Sequence, residues 1–260
     1  MENKITDNIK NTEEKIRNYF GDKKKIAVAF SGGVDSTLLL KLAVVCCERV
    51  KAYYVRTQFQ PSWEYREACE NAEIIGAEME TIKMNVLSCE EIRENPADRC
   101  YFCKKQIMGK ILEKAGEDGF TILADGSNMS DNPLERPGMK ALSEYGIISP
   151  LREMGFTKKD VRQLSSHFNL NTAEKPAYSC LATRIPSGTE ITEGNLAATE
   201  ECEEFLMKIG FSDFRVRNEG EMARIESRAE DMKRLIEKRE EILDFFSKYY
   251  KKTVLDLKER

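Results

Sequence analysis

Histidine is nearly missing from this chain: its 260 residues contain one, His167. A structural zinc site draws about four ligands from cysteine and histidine, so a histidine-built site is excluded, and His167 reads as a surface or half-buried helix residue. Also lacking is any apolar run long enough to span a bilayer. The first residues, MENKITDNIKNTEEKIRNYF, are polar and amphipathic rather than a basic segment followed by an apolar one. The expectation is a cytoplasmic protein with no membrane partner. A strong charge of one sign is absent too. The net charge of -4 argues against a broad nucleic-acid surface, so no nucleic-acid partner is expected, and only a local basic groove stays open. In a reducing compartment the eight cysteines are packing residues, metal ligands or catalysts rather than a disulfide framework.

What the chain does hold is ordinary globular material, 41% hydrophobic and 33% charged, at a length that suits a large domain plus a smaller one. Strand and helix alternate. A polar helix over about 6–20 precedes the apolar KKIAVAF, the turn SGG, and the helical DSTLLLKLAVVCCERV. Strands KAYYVRTQ, EMETIKM and FTILADG follow, separated by helices in SWEYREACENAEIIGA and CKKQIMGKILEKAGEDG. That order predicts a parallel α/β sheet. Beyond Gly126 come two loop-rich stretches, SNMSDNPLERPGMK and AEKPAYSCLATRIPSGTEIT. From Glu193 the pattern reads helix, two strands (FRVRNEG, MARIES), one long helix over 228–250 and a last strand, KTVLDL. The domain boundary is expected between Thr183 and Thr192, dividing 1–185 from a smaller α/β domain at 186–260.

The sharpest chemical signal is SGGVDS, Ser31 to Ser36. Two glycines let backbone approach an anion, and a turn at the mouth of a helix aims free N–H groups and the positive helix end at it. The GxxxxGK(S/T) pattern is missing, and with it the lysine that reaches terminal phosphates in an ordinary P-loop. This segment resembles the PP-loop ATP pyrophosphatases, which cleave ATP between its α and β phosphates. The resemblance implies that Ser31, Gly32, Gly33, Asp35 and Ser36 hold the phosphates. DGSN, Asp125 to Asn128, is similar to that family's second nucleotide element, with Asp125 a magnesium ligand and Asn128 beside it.

The cysteines divide by context. Cys46, Cys47, Cys69, Cys89 and Cys202 read as packing residues. Cys100 and Cys103 form a CxxC pair on one side of a helical turn, which suits metal or cluster binding as well as dithiol redox chemistry. Cys180, in KPAYSCLATRIPSG, is the third thiol of interest. Arg215 and Arg217 alternate to one strand face, either a forked grip on a phosphate or carboxylate or a solvated surface. Arg184 and Arg136 are candidates for stabilising an anionic transition state, or are structural. Glu200, Glu203 and Glu204 form an acidic cluster on a helix, a solvated face or a metal ligand.

Taken together, NPADRCYFCKK, DGSNMSDNPLERPG, SPLREMGFTKKDVRQL, KPAYSCLATRIPSG and FRVRNEGEMARIE resemble the LarE family of PP-loop sulfur transferases over nearly the whole chain. That resemblance implies adenylation of a carboxylate on a pyridinium dicarboxylate mononucleotide, then displacement of AMP by sulfur to give a thiocarboxylate for the nickel-pincer nucleotide cofactor. It implies ATP, Mg2+ and, because Cys100 and Cys103 accompany Cys180, a 4Fe-4S cluster on these three thiols. Arg184 would act in catalysis, Arg136 would hold the nucleotide, and Arg215 and Arg217 would hold the substrate phosphate. A small-molecule mononucleotide, a sulfide donor and a second copy of the chain in a homo-oligomer are the expected partners. The alternatives are a PP-loop tRNA thiolation enzyme, against which the acidic balance counts, and a non-catalytic nucleotide-binding iron-sulfur sensor.

Overall fold

The computed structural model describes residues 12–132 and 137–260. Two compact units are interleaved along the chain. One takes the described residues through Arg56, with Ser62–Met84 and Cys100–Lys175; the other takes Thr57–Pro61, Asn85–Arg99 and Pro176–Arg260.

In the first unit, β1 (Lys25–Ala29), β2 (Arg49–Arg56), β3 (Glu78–Lys83) and β4 (Leu123–Ala124) form a parallel sheet in the order β3-β2-β1-β4. Both faces are covered, and the alternation of side chains along each strand shows how. Ile26 and Val28 of β1, with Ala52 and Tyr54 of β2, join one apolar cluster; Ala27, Ala29, Tyr53 and Val55 join another. Strands buried on both sides must be apolar almost throughout, as IAVA and AYYV are. The first cluster is closed by α1 (12–20), α2 (Val34–Cys46), α3 (Ser62–Ile75), α7 (Pro150–Glu153) and α8 (Lys158–His167); the second by α5 (Arg99–Glu117) and α6 (Gly138–Glu144). The expected strand over 120–126 shrinks to Leu123–Ala124, because the chain leaves the ladder at Asp125 to build a loop.

The second unit holds α4 (Glu90–Arg93) and a three-stranded sheet of β5 (Arg215–Glu219), β6 (Met222–Glu226) and β7 (Lys252–Leu255). The β5–β6 pair is antiparallel and the β6–β7 pair parallel. Helix α9 (Glu193–Lys208) is started by a capping box in which Thr192 accepts from Asn195 N and the Asn195 side chain accepts from Thr192 N. The long helix expected over 228–250 is two, α10 (Ala229–Glu237) and α11 (Arg239–Phe246), meeting at Lys238; neither glycine nor proline marks that turn. Leu206, Phe246 and Tyr250 pack with these helices against Val216 and Ile225 of the sheet. Among the described residues no helix is long and apolar enough to cross a membrane.

Lys51, nearly buried near the start of β2, donates to Asp118 at 2.6 Å, and Tyr53 Oη donates to the same carboxylate oxygen at 2.6 Å. First the Lys51 bond and then the Tyr53 bond hold the Asp118 carboxyl down at about 2, below its ordinary 3.8. A depressed carboxyl contributes stability above its ordinary pKa and loses it as pH falls through the folded value. In Asp118→Asn the stability lost by wild type between about pH 4 and pH 2 should already be absent, so its acid limb in denaturant melts is shallower.

Candidate active site

The carboxyl ends of β1 and β4 carry the two loops that sequence singled out. The chain runs outward from β1 through β2 and β3, then returns to the other side of β1, so β1 and β4 flank a topological switch point, where open α/β sheets take their ligands. Ser31 is exposed at the mouth of the first loop, and Ser36 is buried beneath it. Ser36 Oγ accepts from Ser31 N at 3.2 Å, donates to the Gly33 carbonyl at 3.2 Å, and lies 3.1 Å from Ser31 Oγ. The loop is thus tied in place by one hydroxyl.

Its two glycines do different work. Gly32 has φ +72°, and a Cβ there would lie 2.8 Å from Ala68 Cβ on α3, so both backbone and space demand glycine. Gly33 is the N-cap of α2 in an extended conformation any residue adopts, and an added Cβ would meet only Ser31 Oγ, at 3.5 Å. Neither its backbone nor its surroundings require glycine.

The second loop is pressed onto the first. A Cβ on Gly126 would stand 2.8 Å from Ser36 N. Asp125, 4% exposed, accepts from Ser127 Oγ at 2.7 Å and Ser149 Oγ at 2.6 Å. Asn128, buried, donates to Asp35 Oδ1 at 2.9 Å while its own oxygen accepts from Ser130 N at 2.8 Å. The other oxygen of Asp35 accepts from Lys158 Nζ at 2.6 Å. Lys158 was not singled out from sequence; the TxxD capping box that starts α8 marks its place. Arg136 lies outside the described residues.

In the second unit Cys180 precedes a short 3-10 turn, Leu181–Arg184. Arg184, 1% exposed, lies under that turn: NH1 donates to Ser179 Oγ and Thr183 Oγ1, each at 2.8 Å, and to the Ser179 carbonyl at 3.0 Å. Nε donates to Glu203 Oε1 at 2.7 Å. Glu203, 2% exposed, also accepts from Tyr178 Oη at 2.5 Å and Val216 N at 3.0 Å. Of the acidic cluster on α9, this residue is therefore inside. Its signal was the buried stripe Leu196, Thr199, Glu203 and Leu206, whose spacing carries Glu203 to the core side. Arg215 is buried against Tyr178 and donates to the carbonyls of Phe214 at 2.6 Å and Ala177 at 2.5 Å. Burial, then the neighbouring Arg184 charge, pushes it down to about 10. Arg217, partly exposed, pairs with Glu226 at 2.8 Å and donates to the Thr183 carbonyl at 2.6 Å. All three arginines brace the segment that carries Cys180.

Cys100 and Cys103 lie on α5 within its first five residues, in the first unit, where Cys100 is exposed and Cys103 half-buried. Cys202 is buried in the core, and burial pushes its thiol up, as it does for Cys46 and Cys47. Among the described residues no group of three or more His, Cys, Asp or Glu side chains gathers to hold a metal ion. Magnesium carried by nucleotide phosphates needs only one or two carboxylates, so Asp35 and Asp125 suffice in number, each with lone pairs beyond its present bonds.

Two outcomes test this geometry. Gly32→Ala should cost about 1–3 kcal/mol by strain, read as a lowered denaturant midpoint, while Gly33→Ala, at an extended backbone position, should melt much like wild type. Glu203→Ala leaves Arg184 buried without its carboxylate and should cost about 3–5 kcal/mol in the same measurement.

Comparisons with known proteins place this geometry. A family of unknown function, DUF7411, matches residues 24–180. The pyridinium-3,5-bisthiocarboxylic acid mononucleotide synthase of Lactiplantibacillus plantarum is 36% identical over 79% of this chain and 75% of its own. An uncharacterized protein of Synechocystis is 35% identical over 86% and 84%. Argininosuccinate synthase of Natronomonas pharaonis is 26% identical over 74% of this chain and 54% of its own, and with the observed sheet it places the fold among PP-loop, adenine nucleotide alpha hydrolase-like proteins. With its SGG cradle, its DGSN loop and these relatives, the chain belongs to the LarE family of PP-loop sulfur transferases.

Proposed function

We propose that this protein is an ATP-dependent sulfur transferase that adenylates a carboxylate of a pyridinium dicarboxylate mononucleotide and replaces AMP with sulfur, on the path to a nickel-pincer nucleotide. The observation that carries the reading is an SGG loop tied by Ser36 at the switch point, in a chain 36% identical to a bisthiocarboxylic acid mononucleotide synthase.

In this reading Ser31, the Gly33 N–H and Ser36 hold the phosphates, and Asp35 and Asp125 hold magnesium with them. A substrate carboxylate oxygen bonds to the α-phosphorus, and pyrophosphate leaves with the electron pair of the broken bond. The purpose is a better leaving group: oxide departs poorly from carbon, AMP readily. Sulfur then bonds to the activated carbon, and AMP takes the electrons of the C–O bond. Arg217 and Arg215 serve the substrate phosphate, and Arg184 acts by shaping the turn after Cys180.

Cys100, Cys103 and Cys180 would hold a four-iron cluster, which when bound supplies a sulfide at its open iron. The three thiols match the donor chemistry of such a cluster.

The experiment is an anaerobic assay of iron, labile sulfide, AMP, pyrophosphate and thiocarboxylate. Cys100→Ala should lose iron and thiocarboxylate but keep substrate-dependent pyrophosphate release. A Cys180 lighter by the elements of hydrogen sulfide after one turnover would show the cysteine itself as the sulfur source, and pyrophosphate release without any carboxylate substrate would overturn adenylation.

A further inference from the structure

The loop that follows Cys180 is held a second time, by residues far from it in sequence. Asn95 is 2% exposed and has φ +56°, a left-handed backbone that asparagine tolerates better than most non-glycine residues. Its side-chain amide donates to the carbonyls of Pro186 at 2.9 Å and Ile185 at 3.3 Å. Its own carbonyl accepts from Gly188 N at 2.7 Å and Ser187 Oγ at 3.1 Å. The amide oxygen accepts from Arg99 NH1 at 2.6 Å, and the same nitrogen donates to the Ala182 carbonyl at 2.9 Å.

Arg99 is buried, with its guanidinium 5.9 Å from the centre of the Phe59 ring, and the Phe59 carbonyl accepts from Leu181 N at 2.9 Å. The backbone of Leu181 and Ala182, the two residues after Cys180, is thereby tied to residues 59 and 99. Packing alone is a poor reason for this arrangement, because a buried guanidinium costs more to desolvate than an apolar side chain of similar volume. What the polar pair supplies is direction, since hydrogen bonds favour a narrow range of distance and angle. The acceptors are main-chain carbonyls of residues 182, 185 and 186, so the pair sets the path of the loop rather than the placement of one of its side chains.

We propose that Asn95 and Arg99 are positioning residues for Cys180, clamping the loop from Leu181 to Gly188 so that the thiol is presented in one place for sulfur transfer. The proposal rests on the sulfur-transfer reading above and adds no bond to it: both residues act through the backbone that follows Cys180. Misplacing a reacting group by about 1 Å can cost about 100-fold in rate, so slack in this loop falls on the transfer step. Adenylation uses Ser31 to Ser36 and Asp125, which belong to the other unit, and has no share in the clamp.

The test compares wild type with Arg99→Ala, Arg99→Lys and Asn95→Gly, the last of which suits the left-handed backbone, keeps the carbonyl and removes only the amide. Alkylation of Cys180 by iodoacetamide is followed by mass spectrometry on the chelator-treated full chain. Substrate-dependent pyrophosphate release and thiocarboxylate formation are followed anaerobically. Arg99→Ala should speed alkylation of Cys180 about 10-fold, the worth of one charge-assisted hydrogen bond in holding the loop closed. It should slow thiocarboxylate formation about 10- to 100-fold and leave pyrophosphate release at the wild-type rate. Asn95→Gly should show the same pattern, and Arg99→Lys should recover part of both changes. If Arg99→Ala does not fold, Asn95→Gly carries the comparison. Wild-type alkylation and transfer in these variants, or an equal loss of pyrophosphate release and thiocarboxylate, would overturn the assignment. Absence of thiocarboxylate from wild type would mark failure of the sulfur-transfer reading instead, and the alkylation rates would still decide the clamp.

Discussion

Backbone meets backbone with no room for a side chain where Gly126 lies against Ser36, and the cradle depends on that contact. It brings the loop after β4 onto the start of α2, which lets Asn128 reach Asp35. Asn128 can do so because its neighbours are fixed as well: its N–H donates to Asp131 at 2.9 Å, and Arg152 of α7 donates to its carbonyl at 3.1 Å. A short β4 is part of the same device, since a longer strand would keep Asp125 and Gly126 in the ladder and away from the helix. Fold and candidate site are thus one construction.

The second unit is organised around a different constraint, a buried carboxylate. Glu203 collects a guanidinium, a phenol and a backbone N–H in a place almost closed to water. Such a group is costly unless every partner is present, so Tyr178, Arg184 and the start of β5 are held in a fixed relation. The turn after Cys180 inherits that rigidity through the bonds from Arg184. A side chain on a braced turn is held in one geometry.

Local pattern made the first half of this legible. An apolar run ending in SGG and opening into LLLKLA leaves few structures open, and β1, its loop and α2 fall where those residues put them. Motifs carried Asp125 and Asn128 as well. What could not be read comes from contacts between distant segments. Nothing local distinguishes Gly32 from Gly33; the difference is Ala68, on another helix. Lys158 reads as one charge among many until α8 sets it against Asp35. The segments 57–61 and 85–99, which cluster with the C-terminal unit, bear no mark in composition. Glu203 was the missed chance, because helical spacing alone puts it on the apolar stripe.

The central claim is that a carboxylate is activated by bonding to the α-phosphorus of ATP before sulfur replaces it. The direct measurement follows oxygen: with both substrate carboxylate oxygens labelled as oxygen-18, the released AMP and pyrophosphate are weighed by mass spectrometry. The account predicts one heavy oxygen in each AMP, none in pyrophosphate, and one retained in the thiocarboxylate. Unlabelled AMP accompanied by thiocarboxylate would contradict it.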